Sequence, residues 1–142
     1  MVSGNMPAFS VYGSANQPFT SAVSTKVTLD TEVFDTANCF ASSRFTPNVA
    51  GYYQINGKVR ITGTGLTDGS VAIYKNGSQL IIGTITLTGL AFSVVSTLVY
   101  LNGTTDYVEL FGYAATASGS PTFQAIAIGN NCEMSGSLVR SA

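Results

Sequence analysis

The sequence predicts an all-β domain of ten short strands, arranged as a β-sandwich or a jelly roll. Runs rich in Val, Ile, Thr, Tyr and Phe alternate with clusters of Gly, Asn, Ser and Pro, and no amphipathic helical stretch of credible length occurs. The 142 residues fit one domain. Only 9% of them are charged, against about 25% in an ordinary soluble domain. The surface must therefore consist of neutral polar groups or be covered by other subunits.

The strands are separated by turn-forming residues at regular intervals. They are predicted at residues 8–14, 21–29, 38–45, 51–62, 69–75, 79–86, 92–101, 106–114, 122–128 and 133–140. Asn76-Gly77 is the preferred pair for a two-residue hairpin turn, and Asn102-Gly103 repeats it. Both also match the Asn-x-Ser/Thr glycosylation pattern, but the turn interpretation is favoured because the N-terminus lacks a secretory signal.

Two strands present aromatic groups on the face opposite their aliphatic one. Neighbouring strand residues point to opposite sides, so Tyr53 and Tyr52 cannot enter one core. We predict that Tyr53, with Ile55, faces inward. The opposite faces of the two strands are predicted to form the contact between subunits, with Tyr52, Gln54, Tyr107, Phe111 and Tyr113 as interface residues.

Composition excludes several classes of function. The net charge is −1 and the basic residues are scattered, so no nucleic-acid surface is expected. Residues 76–105 carry no charge, but Thr and Ser alternate with apolar residues there, which favours a strand over a membrane span. Cys39 and Cys132 fit no metal or redox motif and are expected to be free thiols in a chain made in the cytosol.

Catalytic and metal chemistry finds little support. The chain has no His, which excludes Ser-His-Asp catalysis and His-based metal sites. Asp30 and Glu32 could form a carboxylate pair for glycoside cleavage, but two solvated charges are the favoured interpretation. We expect no enzyme and no cofactor. Calcium is the one ion kept as an alternative, with Asp68, Asp106 or Glu109 as oxygen ligands.

The stretch "VFDTANCFASSRFTPNVAGYYQI" resembles the signature of the complement first-component q head. The matching positions are Phe34, Asn38, Phe40, Phe45, Gly51, Tyr53 and Ile55, although the family usually has an aromatic at the last. "TDYVELFGY" is similar to the family's Gly-Asp-x-Val-x-Leu strand, and "EMSGSLV" to its closing strand. The resemblance implies a ten-stranded jelly roll shared with tumour necrosis factor and assembled as a homotrimer.

Within this family, "IYKNG" and "VYLNGTTDYVEL" look most like heads of bacteriophage tail fibres and other virion appendages. That resemblance implies a structural or adhesion module made in the host cytoplasm and located in the virion. Its expected partners are further copies of itself, other virion proteins and bacterial surface carbohydrate. The alternatives are a capsid decoration protein, a spore or cell-surface structural protein, and a secreted ligand of the tumour necrosis factor type.

We expect the chain to consist of an attachment segment, residues 1–7, and the head domain, residues 8–142. The loops 63–69 and 115–121 should then lie at the far end and face outward. Simple flexible turns are the alternative. The candidate contact residues in these loops are Thr64, Thr67, Asp68, Thr116, Ser118 and Ser120.

Overall fold

The structure is a computed structural model in which residues 6–86, 91–125 and 132–142 are described. These residues form strands and turns without a helix, which confirms the predicted all-β class. The strands are β1 (Ala8–Tyr12), β2 (Gln17–Pro18), β3 (Thr25–Lys26), β4 (Thr31–Asp35), β5 (Phe40–Ala41), β6 (Arg44–Phe45), β7 (Gly51–Lys75), β8 (Ser78–Thr86), β9 (Ala91–Leu101), β10 (Val108–Phe123) and β11 (Glu133–Ser141).

Two layers enclose the core, and all of the described strand pairs are antiparallel. The first layer has the order β4, β1, β11, β7 and β9, with the first half of β7 in its interior. The second layer is centred on β10, which pairs with the second half of β7 and with the short β2, β3 and β6. Strand β8 pairs with the second half of β7 and forms the edge of this layer.

Strand β7 belongs to both layers. It pairs with β9 and β11 over residues 51–61, and with β8 over residues 69–75. Between these two parts it pairs with β10, where Leu66 lies opposite Thr116 and Thr64 opposite Ser118. The predicted loops at residues 63–69 and 115–121 are therefore wrong, because β7 and β10 are each continuous there. The Gly and Thr residues at 63–69 belong to a continuous strand, because β10 supplies hydrogen-bond partners to its backbone.

Aromatic rings fill the middle of the core. The Phe9 ring stacks on those of Phe45 and Phe40, with centroids 4.2 and 5.4 Å apart, and Tyr53 meets Phe45 edge-on at 5.6 Å. The Tyr53 hydroxyl donates a 2.7 Å hydrogen bond to the Val49 carbonyl. Burial, with a smaller contribution from Cys39, raises the pKa of Tyr53 to about 12. The prediction that Tyr53 faces inward while Tyr52 does not is confirmed.

Several predicted strands are shorter or divided in the structure. Residues 21–29 were predicted as one strand, but they contain a turn followed by the two-residue β3. Residues 38–45 form a tight hairpin whose turn residues, Ser42 and Ser43, both have positive φ. Ser43 Oγ accepts a hydrogen bond from the Leu29 amide, which holds this turn without the usual glycine. Strand β4 was not predicted.

The two Asn-Gly pairs have different structures. Asn76 and Gly77 both have positive φ and connect β7 to β8, which confirms the predicted hairpin turn. At the second pair only Gly103 has positive φ, and the flanking strands β9 and β10 pair with different parts of β7. The second hairpin prediction is therefore wrong, and Asn102 instead organises a wider loop. Of the predicted strand 122–128, residues 126–128 lie outside the described residues.

Candidate functional site

A large apolar surface is exposed where β8 and β9 meet. On β9 every second side chain faces outward, and Leu98 and Tyr100 lie there in register with Gln54 and Tyr52 of β7. We call this the β8–β9 apolar surface, and its apolar members are Tyr52, Phe92, Val94, Leu98 and Tyr100 together with Leu80, Ile81, Ile82 and Ile85 of β8. Contiguous exposed apolar groups of this kind mark interaction surfaces in soluble proteins.

The two strands reach one another through a glycine. A Cβ on Gly83 would lie 2.0 Å from the Val94 carbonyl oxygen, so only glycine allows β8 to pack this closely against β9. On the flat side of the surface, the Tyr52 and Tyr100 rings meet edge-on with centroids 5.5 Å apart. The result is one continuous surface with a flat part on β9 and an exposed strand edge on β8.

The predicted interface residues lie on two different layers. Tyr52 is exposed and Gln54 half-buried on the outer face of the first layer, within or beside the apolar surface. Phe111 and Tyr113 are half-buried on β10 in the second layer, where Phe111 stacks on Tyr74 with centroids 3.9 Å apart. The structure thus does not bring these residues together on one face.

Tyr107 and Glu109 take part in an ion-pair cluster at the start of β10. Glu109 Oε1 accepts hydrogen bonds from Lys26 Nζ and Arg44 Nε, both at 3.1 Å. The Glu109 side chain is only 5% exposed, whereas those of the two cations are 38% and 42% exposed. The Arg44 guanidinium also lies 3.8 Å from the centre of the Tyr107 ring. This carboxylate, a candidate calcium ligand, is thus already paired with two cations.

Asp106, a second candidate calcium ligand, organises the turns beside it. It accepts hydrogen bonds from Asn76 Nδ2 at 2.8 Å and from the Asn102 amide at 3.1 Å, and it forms an ion pair with Lys75 at 3.1 Å. The Asn76 hydrogen bond, followed by that from Lys75, lowers the pKa of Asp106. These contacts connect the β7–β8 turn to the loop that precedes β10.

The two candidate contact loops are brought together as one paired ribbon. Thr64 lies opposite Ser118, and Thr67 Oγ1 donates a 3.3 Å hydrogen bond to the Ala115 carbonyl. Thr116 Oγ1 donates a 2.8 Å hydrogen bond to the Gly119 carbonyl. The remaining candidates occupy the same ribbon: Asp68 is half-buried opposite Ala115, and Ser118 and Ser120 are exposed.

The ribbon lies far from the beginning of β1. Ala8 pairs with Ser137 of β11, and Ser137 in turn pairs with Gln54 of β7. The ribbon begins at Thr62, eight residues further along β7, which corresponds to about 26 Å at the rise of a β-strand. The beginning of β1 and the ribbon therefore lie far apart along the strand direction. Residues 1–5 of the predicted attachment segment lie outside the described residues.

Among residues 6–86, 91–125 and 132–142, no three His, Cys, Asp or Glu side chains come together to hold a metal ion. Asp30 accepts hydrogen bonds from the Ser14 hydroxyl at 2.6 Å and amide at 2.8 Å, which lower its pKa. Glu32 is exposed on β4. Cys39 and Cys132 are buried free thiols, and burial raises the pKa of each. The same described residues contain no helix capable of crossing a membrane.

The sequence interpretation missed the part of the apolar surface contributed by β8 and β9. The signal was present in "AFSVVSTLVY", where Val95 and Val99 alternate with Val94 and Leu98, so that both faces of the strand are apolar. The alternation that separates Tyr52 from Tyr53 also predicts this second uncovered face.

No protein-family model matches the sequence, and no curated protein matches it. Solved structures do resemble the fold. The globular domain of zebrafish complement 1qA protein has a TM-score of 0.63 at 16% identity, over 97% of this chain and 100% of that one. Murine APRIL has a TM-score of 0.70 at 8% identity, over 95% and 100% of the two chains. Eiger TNF from S. frugiperda has a TM-score of 0.67 at 8% identity, over 96% and 94%. These likenesses show a jelly roll of the complement q-head and tumour necrosis factor type.

Proposed function

We propose that the chain is a non-enzymatic head that assembles as a homotrimer and serves a virion as a structural or adhesion module. The observation that carries the trimer is the β8–β9 apolar surface. A closed cyclic assembly joins two different patches of neighbouring subunits. The flat part on β9 and the strand edge of β8 are two such patches, and burying their aliphatic and aromatic groups would favour association by roughly 25 cal/mol per Å².

Light scattering at micromolar concentration tests the assembly, with a trimer mass expected for the unaltered protein. Leu98→Asp should dissociate it, because the new carboxylate would be buried among apolar groups of a neighbouring copy. Val23→Asp is the matched control, since Val23 is 48% exposed and Leu98 56% exposed, and Val23 lies outside the apolar surface. A monomer mass for the unaltered protein, or a trimer that tolerates Leu98→Asp, would contradict the proposal.

Phe111 and Tyr113 stay a second candidate contact on the other layer. Phe111→Asp separates the two surfaces, because it leaves β9 unaltered. If this variant dissociates while Tyr74, which stacks on Phe111 in the unaltered protein, remains packed, the second layer would belong to the interface. An intact trimer would limit the interface to the first layer and β8.

The virion role is supported by the resemblance to tail-fibre heads and by a surface of neutral hydrogen-bonding groups. In this proposal residues 1–7 attach the head to the particle, and the ribbon formed by residues 63–69 and 115–121 faces outward. Other virion proteins or bacterial surface carbohydrate would be its partners. Three weak contacts in one trimer could strengthen binding by a factor of about 10² to 10⁴ through avidity.

Substituting the exposed hydroxyls of the ribbon tests the outward contact. Leu66 is buried, so replacing the whole loop would damage the core. The variant Thr64→Ala, Ser118→Ala, Ser120→Ala spares Leu66, and Thr20→Ala with Thr104→Ala is its control. Reduced binding to bacterial cells by the trimeric ribbon variant alone would support adhesion. Unchanged binding would mean that the ribbon is a spacer and would favour a purely structural role, as in capsid decoration or a spore surface.

A secreted signalling ligand is the second candidate, and the likeness to murine APRIL and Eiger TNF favours it. Particle fractionation discriminates between the two. Antibody detection of the protein in purified virions would support the virion role, whereas its presence only in a soluble secreted fraction would support the ligand.

A further inference from the structure

A polar cavity lies beside the hairpin formed by β5 and β6. Its volume is about 470 Å³, within the range of roughly 300 to 1,000 Å³ of pockets that hold small molecules. Its wall includes Lys26, Asn38, Ser42, Arg44 and Thr46, which all have hydrogen-bonding groups in their side chains. We call it the hairpin cavity. Its composition suits a polar ligand.

The cavity wall carries a positive charge that the fold does not neutralise. Lys26 and Arg44 both contact Glu109, so two positive charges face one negative charge. Among residues 6–86, 91–125 and 132–142, neither cation has a further ion pair. One positive charge therefore remains beside the cavity, and it would attract an anionic group.

Both cations also retain N–H groups for a ligand. A guanidinium has five N–H groups, and Arg44 contacts Glu109 through Nε and Nη2. Lys26 Nζ has three N–H groups, and it donates to Glu109 Oε1 and to the Ser42 carbonyl oxygen. Within the described part of the chain, Arg44 Nη1 and one N–H of Lys26 thus have no partner. These groups can donate to an anionic oxygen.

Two neutral side chains of the cavity complete the set of unused polar groups. No hydrogen bond to another described residue engages the Asn38 amide group or the Thr46 hydroxyl. Asn38 is exposed and Thr46 is half-buried. Amides and hydroxyls both donate and accept, as the hydroxyl groups of a sugar do. The cavity therefore offers contacts for the charged part and for the neutral part of an acidic sugar.

The two cations are held in place without a ligand. The Arg44 guanidinium lies 3.8 Å from the centre of the Tyr107 ring, and Arg44 Nε bonds to Glu109 at 3.1 Å. Lys26 Nζ lies 3.1 Å from Glu109 Oε1 and 3.2 Å from the Ser42 carbonyl oxygen. Binding would then require little further ordering of these long side chains, and this favours affinity.

We propose that the hairpin cavity binds a small sugar that carries one anionic group, a carboxylate or a phosphate. Arg44 and Lys26 donate to the anionic oxygens. Asn38 and Thr46 contact the sugar hydroxyls. The charge of the wall selects an acidic sugar over a neutral one, and the two neutral groups select a sugar over a bare ion.

The hairpin cavity is separate from the surfaces described above. Strands β3 and β6, which supply Lys26 and Arg44, pair with β10 on the side opposite to β7. The β8–β9 apolar surface lies on the β7 side, and the ribbon begins further along β10. The inference therefore depends neither on the trimer nor on the virion role.

A titration of the ¹⁵N-labelled protein followed by NMR tests the site. Glucuronate and glucose 6-phosphate should shift the Asn38 side-chain amide and Arg44 Nε–H resonances in a saturable manner, and glucose at the same concentration should not. The tighter of the two acidic sugars identifies the preferred anionic group. Absence of saturable shifts with both would overturn the inference. Binding of inorganic phosphate as tight as that of glucose 6-phosphate would mean an ion site without sugar recognition and would also overturn it.

A charge variant with a matched control gives a second readout. Asn38→Asp adds a carboxylate to the cavity wall and should weaken binding of the acidic sugars about tenfold. Asn38 has a φ of 52°, which Asp also adopts readily, so the fold should be retained. Asn16→Asp is the control, because Asn16 is exposed and an aspartate there can still accept from the Ala125 amide. Equal affinities of the two variants would overturn the inference.

Discussion

Removing Lys26 and Arg44 together should destabilise the fold more than neutralising the carboxylate that they share. The Glu109 side chain is 5% exposed, so Lys26→Met with Arg44→Met leaves a buried charge without a partner. Breaking a buried pair in this way costs about 3 to 5 kcal/mol. Glu109→Gln leaves two cations that are 38% and 42% exposed and can be hydrated, so its cost should be about 1.5 to 3 kcal/mol from lost charge-assisted hydrogen bonds.

Urea denaturation measures the free energy of unfolding of each variant. All variants are compared at one protein concentration, because association makes the apparent stability depend on concentration. With a denaturant dependence of about 2 kcal/mol per molar urea, the double variant should lose roughly 2 M in its midpoint. Adding Glu109→Met to the double variant should restore much of the loss, since a well-packed apolar triad has no unpaired charge. A double variant within 1 kcal/mol of the unaltered protein, or less destabilised than Glu109→Gln, would refute the reasoning.

Three further outcomes are expected. A thiol reagent at neutral pH should label neither Cys39 nor Cys132 in the folded protein, because burial raises the pKa of each thiol. After unfolding without reductant, the reagent should label both. Fewer than two adducts per unfolded chain in mass spectrometry would contradict the prediction that the thiols are free. Asp106→Asn should lower the melting temperature at pH 7. Because the pKa of Asp106 is lowered in the folded protein, its carboxylate stabilises the fold at pH values above 3.8, the ordinary pKa of the group. The difference in melting temperature should therefore be lost as the pH falls below 3.8 and through the lowered pKa, and a pH-independent difference would contradict this prediction. Gly112→Ala should lower the free energy of unfolding in urea by about 1 to 3 kcal/mol, because the new Cβ would lie 2.3 Å from the Phe123 ring. An unchanged midpoint would mean that the ring moves aside without cost and would contradict this prediction.

The strand faces could be predicted from the sequence because side-chain alternation has a period of two. Tyr53 and Ile55 are fully buried, while Tyr52 on the opposite face is exposed, as the alternation indicates. The Asn76-Gly77 turn could also be predicted from the sequence, since few residue pairs adopt positive φ at both positions without strain.

Strand continuity and long-range pairing could not be predicted in this way. The Gly-rich stretch 63–69 has the composition of a loop, yet its backbone pairs with a segment about fifty residues later in the chain. The Ser42-Ser43 turn carries no glycine, and it depends on a hydrogen bond to Leu29 that local composition does not reveal. Burial of Glu109 likewise depends on Lys26 and Arg44, which belong to other strands.

The hydrogen bond between Gln54 and Ser96 shows the same limit for the candidate site. Gln54 was predicted to lie at the subunit interface, but its hydrogen bond to Ser96 arises from the pairing of β7 with β9. The sequence of a single strand therefore predicts which face of the layer Gln54 lies on, and only the neighbouring strand shows the chemistry of that face.

The uncharged edge of β8 bears on the chain before it finds its partners. Residues 78–86 contain no Lys, Glu, Asp, Arg or Pro, the residues by which natural edge strands resist adding further strands. A newly released copy thus presents an open backbone edge flanked by Leu80, Ile81 and Ile82. Correct closure competes with indiscriminate stacking of edges, and both accelerate with concentration. Rapid synthesis at a high local concentration should therefore favour precipitation. The substitution Thr84→Lys should raise the soluble yield of the protein unless a neighbouring subunit covers the edge of β8.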